Sequence, residues 1–129
     1  MEHQKIVNIE LNFEREVAQS RGLSLFRRNP TTWELLLLLA RYKNGSNEGV
    51  YNTIDSVGTR YLGNSALLKF IRERRDDGLV QFLEHEKKSK WTLQLNEELV
   101  AQLIELLDTR NRQLLRAAAE ENAPFQWAR

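Results

Sequence analysis

The sequence predicts a mainly helical domain with one small β-hairpin, an α+β chain in which the hairpin stands just before a long final helix. Three observations carry that expectation. Apolar residues recur at three- and four-residue spacing over most of the chain. The spacing changes to alternation at 79–84 and again at 91–95. Between the two alternating stretches, residues 84–90 are entirely polar and suit a hairpin tip. The 129 residues, 41% hydrophobic and 29% charged, suit one domain over 1–129 and are too few for two comfortable ones. There is no cysteine, which excludes disulfides, thiolate nucleophiles, thiolate metal sites and redox sensing through a thiol, and points to a reducing compartment.

The elements follow in order. Ile9, Phe13 and Val17 stand four residues apart with Glu10, Glu14, Arg15 and Glu16 between them, which predicts a short amphipathic helix within 8–22, stopped by Gly22. Residues 23–26 read as an apolar connector. Thr31-Thr32-Trp33-Glu34 fits a capping box, so a second helix is expected to run to about residue 43. Its five consecutive leucines, 35–39, cover every face and mark the centre of the core. The turn-rich 44–49 is a loop, and Val50, Ile54 and Val57 predict a short third helix. After Gly63, Asn64 or Ser65 caps a fourth helix through residue 77, with Gly78 in the terminating position. Following the hairpin, Asn96-Glu97-Glu98 is a helix start whose acids complement the helix dipole, and the last helix is expected over 97–122.

That last helix carries a seam. Val100, Ile104, Leu107, Asn111, Leu114 and Ala118 alternate steps of four and three, the spacing of a coiled coil, which predicts pairing with a second copy. Leu99, Leu103 and Leu106 form a neighbouring stripe suited to the home domain. The plainer alternative is that the whole helix packs on its own core. Phe125 and Trp127 in the tail are expected to fold back or to dock on a second subunit.

Three helices, a two-stranded hairpin and a further helix are the order of a winged helix-turn-helix, here expected over 31–96 with flanking dimerisation helices at 8–22 and 97–122. Asn64-Ser65-Ala66-Leu67-Leu68-Lys69-Phe70-Ile71, then Asp76-Asp77-Gly78-Leu79-Val80, then a lysine-rich loop and Trp91-Thr92-Leu93-Gln94-Leu95 resemble the MarR-type family of bacterial transcriptional regulators. The resemblance covers residues 31–107. It implies a recognition helix ending in a Gly-Leu-Val step into the first wing strand, a homodimer held by the outer helices, and a small-molecule effector pocket to which Trp33 or Tyr42 contributes. Two positions depart from the pattern. The family's wing carries an Asp-x-Arg motif, whereas 84–90 holds lysines and no arginine, so a minor-groove wing arginine does not carry over. Arg74 stands where the family has an apolar residue.

On the face of the fourth helix opposite Leu67, Phe70 and Ile71 lie Ser65, Leu68, Lys69 and Arg72. In a major groove, Lys69 and Arg72 suit guanine O6 and N7, Asn64 and Ser65 suit phosphate or a base edge, and Leu68 suits a thymine methyl. Lys87, Lys88 and Lys90 at the hairpin tip suit phosphate. The formal charge is only +1, yet residues 60–90 contain eight basic and five acidic groups, while 91–129 contain four basic and six acidic. The basic charge is therefore local. A solvated charged face and a lysine tip that keeps a strand pair soluble are the bland alternatives.

No enzymatic arrangement emerges. His3 and His85 have no nucleophile or carboxylate in a defined pattern, the glycines form no phosphate loop, and neither a metal nor a cofactor is expected. The longest apolar run, 35–40, is far below the roughly 20 residues that span a bilayer, and the polar start has no signal-like segment, so a cytoplasmic protein is expected. The expected partner is double-stranded DNA, bound as a homodimer at a palindromic operator. The rival is a winged-helix module that binds protein without reading DNA.

Overall fold

The apolar periodicity is realised as helices that wrap the leucine-rich segment. The computed structural model describes residues 2–42, 49–87 and 90–121. Among these, the order is α1 (His3–Gln19), α2 (Arg21–Arg27), α3 (Pro30–Ala40), α4 (Val50–Ser56), α5 (Asn64–Asp76), β1 (Val80–Leu83), β2 (Thr92–Leu95) and α6 (Glu97–Glu121). The chain is mainly helical with a small antiparallel two-stranded sheet, as expected. Residues 44–48 of the predicted loop, Lys88, Phe125 and Trp127 lie outside the described residues.

The first correction concerns 20–27. Gly22 does not stop a helix and 23–26 is not a connector. Ser20 ends α1 and its hydroxyl accepts from the Leu23 amide at 3.2 Å, which caps α2. Gly22 lies buried inside α2, where a Cβ would stand 2.6 Å from Leu99 Cδ1. The missing side chain lets α6 approach, which outweighs glycine's poor helix propensity.

A second correction concerns the start of α3. Its cap is Asn29, whose side-chain oxygen accepts from the Thr31 amide at 2.8 Å, with Pro30 in the first turn. Thr31 and Glu34 form no capping box; both reach another segment. The helix also ends at Ala40 rather than near 43. Leu35, Leu36 and Leu39 are fully buried, Leu38 is half-buried and Leu37 is exposed, so the leucine run is wrapped on most of its circumference and not on all of it.

The core joins this helix to Phe26, Leu67, Ile71, Leu93 and Leu103, and the Phe26 and Phe70 rings meet edge to face at 5.1 Å. Gly78 adopts φ +82°, the left-handed turn that ends α5 and admits β1. The strands pair Val80 with Leu95 and Leu83 with Thr92, so Val80, Leu93 and Leu95 are buried. Asn96 caps α6, accepting from the Glu98 amide at 2.9 Å.

Helices α1 and α6 run antiparallel, joined by Ser20 to Gln102 at 2.8 Å, Glu10 to Arg110 at 3.3 Å and Lys5 to Glu120 at 3.5 Å. The stripe of α6 that meets the home domain includes Leu99, Leu103, Leu106, Arg110 and Ala117, one position back from the expected seam. In that seam Val100, Leu107, Leu114 and Ala118 are half-buried, while Ile104 and Asn111 are exposed.

Candidate nucleic-acid interface

Helix α5 packs through Leu67 and Ile71, with Leu68 and Phe70 half-buried against the core. Ser65, Lys69 and Arg72 face solvent, as their spacing predicts. Lys69 and Arg72 form no ion pair among the described residues. Leu68 is half-buried and packs in part against the core.

Asn64 is exposed, but its amide is engaged within the chain. It accepts from Arg60 Nη1 at 2.9 Å and donates to Asp55 Oδ1 at 3.3 Å. Arg60 Nη2 donates to the Ile54 and Asp55 carbonyls at 3.3 and 3.1 Å. Arg60 thus satisfies the last carbonyls of α4 and links them to the first residue of α5.

The two other arginines of α5 face inward or sideways. Arg74 is ion-paired with Asp77 at 2.8 Å and lies 4.7 Å over the Phe70 ring. Its side chain is largely buried, and its charge is held at the helix end. Arg75 lies 5.0 Å over Phe82. Of the arginines in the helix, Arg72 alone projects a head without an ion pair or ring contact among the described residues.

At the hairpin, Trp91 Nε1 donates to the His85 carbonyl at 2.9 Å and the Trp91 ring meets Phe82 edge to face. His85 Nδ1 accepts from the Lys87 amide at 3.1 Å, which folds the tip. Lys87 and Lys90 are exposed. The Val50 amide donates to the Trp91 carbonyl at 2.8 Å and ties the hairpin to the start of α4.

The segment before α5 is held by two residues of α3 whose partners the sequence did not reveal. Glu34 Oε2 accepts from the Gly58 amide at 2.6 Å, and Oε1 accepts from the Thr59 amide and hydroxyl, each at 2.8 Å. Thr31 Oγ1 accepts from the Tyr61 and Leu62 amides at 2.9 and 3.2 Å and donates to the Thr59 carbonyl at 3.1 Å. The Gly58 amide chiefly holds the Glu34 carboxyl below the usual carboxylate range. Partial burial opposes it, and the Thr59 groups and the Arg60 charge reinforce it.

Trp33 and Tyr42, the residues expected at an effector pocket, are each covered by an arginine, Arg27 at 4.7 Å and Arg41 at 5.2 Å from the ring centroids. No group of His, Asp and Glu among the described residues is arranged to hold a metal ion. Among the same residues no helix is long and apolar enough to cross a membrane. Compared with protein-family models, curated proteins and solved structures, the chain matches none.

Proposed function

We propose that this protein is a sequence-specific DNA-binding transcriptional regulator of winged helix-turn-helix architecture. In this reading α4 and α5 form the helix-turn-helix, α5 is the recognition helix in the major groove, and the β1–β2 hairpin is the wing on the backbone. The observation that carries it is the sorting of the basic residues on α5. Arg74 and Arg75 are engaged with Asp77, Phe70 and Phe82, whereas Lys69 and Arg72 stand in solvent beside Ser65. Lys87 and Lys90 supply exposed cations on the hairpin for phosphate.

The protein acts as a homodimer on a palindromic or near-palindromic site, with recognition helices roughly 34 Å apart. Exposed Ile6, Val7 and Leu11 on α1 and Ile104 and Leu115 on α6 favour a second copy on the outer helices. Selection of binding sites from random duplex DNA at stated salt tests the proposal. An enriched two-fold motif is expected. A stable dimer that enriches no motif replaces it with the protein-binding reading, which the +1 net charge and the arginine-free wing favour.

A further inference from the structure

The segment 57–63 joins α4 to α5 and has no regular structure. The amides of Gly58, Thr59, Tyr61 and Leu62 are all taken by side chains from the first turns of α3, namely Glu34 and Thr31. Glu34 takes three of these bonds and Thr31 is used to capacity. Both Glu34 oxygens accept, and the Thr31 hydroxyl fills its two acceptor sites and its single donor. Thr31 is fully buried, so each of its bonds stands in place of water. The adjoining Arg60 closes the other side by bridging α4 carbonyls to Asn64.

We infer that Thr31 and Glu34 are positioning residues that set the direction of α5 from α3, and so determine which base sequence that helix reads. The inference rests on the DNA-binding proposal for its consequence and not for its geometry. A carboxylate suits this task because it accepts along two diverging directions and strengthens each bond with its charge. A helix anchored only by the apolar contacts of Leu67 and Ile71 can pivot about them, because such contacts are not directional. Directional bonds to the linker remove that freedom, and base recognition requires it removed, since bidentate contacts tolerate little displacement.

The test uses the full chain and the variants Glu34→Ala, Glu34→Gln and Thr31→Val. Residual dipolar couplings give the orientation of α5 relative to α3, and amide exchange reports Gly58, Thr59, Tyr61 and Leu62. Affinities for the selected duplex and for random duplex are measured at one salt concentration. Glu34→Ala is expected to change or broaden the α5 orientation and to speed exchange at Gly58 and Thr59 about threefold to tenfold. The ratio of selected to random affinity is expected to fall about tenfold, the equivalent of one lost base contact, with random-duplex affinity unchanged. Glu34→Gln, which keeps the length and one acceptor oxygen, restores part of the ratio. Thr31→Val shifts the Tyr61 and Leu62 amides and lowers the ratio too, and it decides the matter if Glu34→Ala does not fold.

An α5 orientation unchanged in these variants overturns the inference, as does a parallel loss of both affinities. If the wild-type chain enriches no duplex sequence, the DNA-binding proposal fails, and the dipolar couplings still decide whether the clamp directs α5.

Discussion

Arg74 Nε lies 2.8 Å from Asp77 Oδ2, while the same guanidinium sits 4.7 Å from the Phe70 ring centroid. Asp77 also accepts weakly from the Leu79 amide at 3.4 Å, across the left-handed turn at Gly78. An acid at a helix C-terminus opposes the dipole. Here the neighbouring arginine offsets it, and the pair ties the end of α5 to the approach of β1. Arg74→Ala is expected to lower stability by about 1–2 kcal/mol, through lost stem packing as well as lost charge. A double-mutant cycle with Asp77→Ala, read by chemical denaturation, should give a coupling of about 0.5–1 kcal/mol.

The Glu34 carboxyl releases its proton more readily in the folded chain than in the unfolded one, chiefly because of the Gly58 amide. Unfolding therefore takes up a proton in the window between the two values. The stabilisation from Glu34 is complete above the ordinary carboxylate value and is lost as pH falls through the lower folded value. Denaturation midpoints measured against pH should show a shallower acid limb in Glu34→Gln than in the wild type.

Gly22→Ala gains about 1 kcal/mol of helix propensity but inserts a Cβ 2.6 Å from Leu99 Cδ1 in a buried contact. Overpacking of this kind costs about 1–3 kcal/mol, so a lower melting temperature is expected. A higher one would show that Leu99 moves aside freely.

Along α6, adjacent residues should behave oppositely. Leu103 is buried and its replacement by Ala should cost about 2–5 kcal/mol. Ile104 is 53% exposed, and Ile104→Lys should change the stability of the single chain by less than about 0.5 kcal/mol. With Leu115→Lys added, it should weaken self-association in sedimentation experiments.

On DNA, Arg72→Ala should alter the preferred sequence, because its head is open to a base edge. Lys87→Ala with Lys90→Ala should weaken all sequences alike and reduce the slope of log affinity on log salt by about two per protomer, about four for the dimer. An unchanged slope would place the hairpin away from phosphate.

Much of the architecture was legible because it rests on local periodicity. The alternation around 79–84 and 91–95 placed both strands, and the spacing of Val50, Ile54 and Val57 placed α4. Gly78 bounded α5 closely, but the cap expected of Asn64 or Ser65 is not made: Asn64 is the first helical residue and Gly63 precedes it without a side-chain cap. The failures have one character. Gly22 looks like a breaker until Leu99 is seen lying against it, and the Thr31 to Glu34 spacing is identical whether the carboxylate turns back to its own helix or reaches Gly58. What spacing did not show at the exposed face is that Leu68 is half-buried against the core and that the exposed Asn64 is also bonded to Arg60 and Asp55.

By itself, then, the sequence determined the helical and strand content, the absence of thiol chemistry and the concentration of basic charge in 60–90, since each depends on residues close in the chain or on composition. The tertiary structure decided which α6 stripe faces α1, which arginines of α5 remain open, and what holds the approach to α5. Those depend on contacts between segments tens of residues apart, where a side chain's partner is chosen by packing and hydrogen-bond satisfaction and not by spacing.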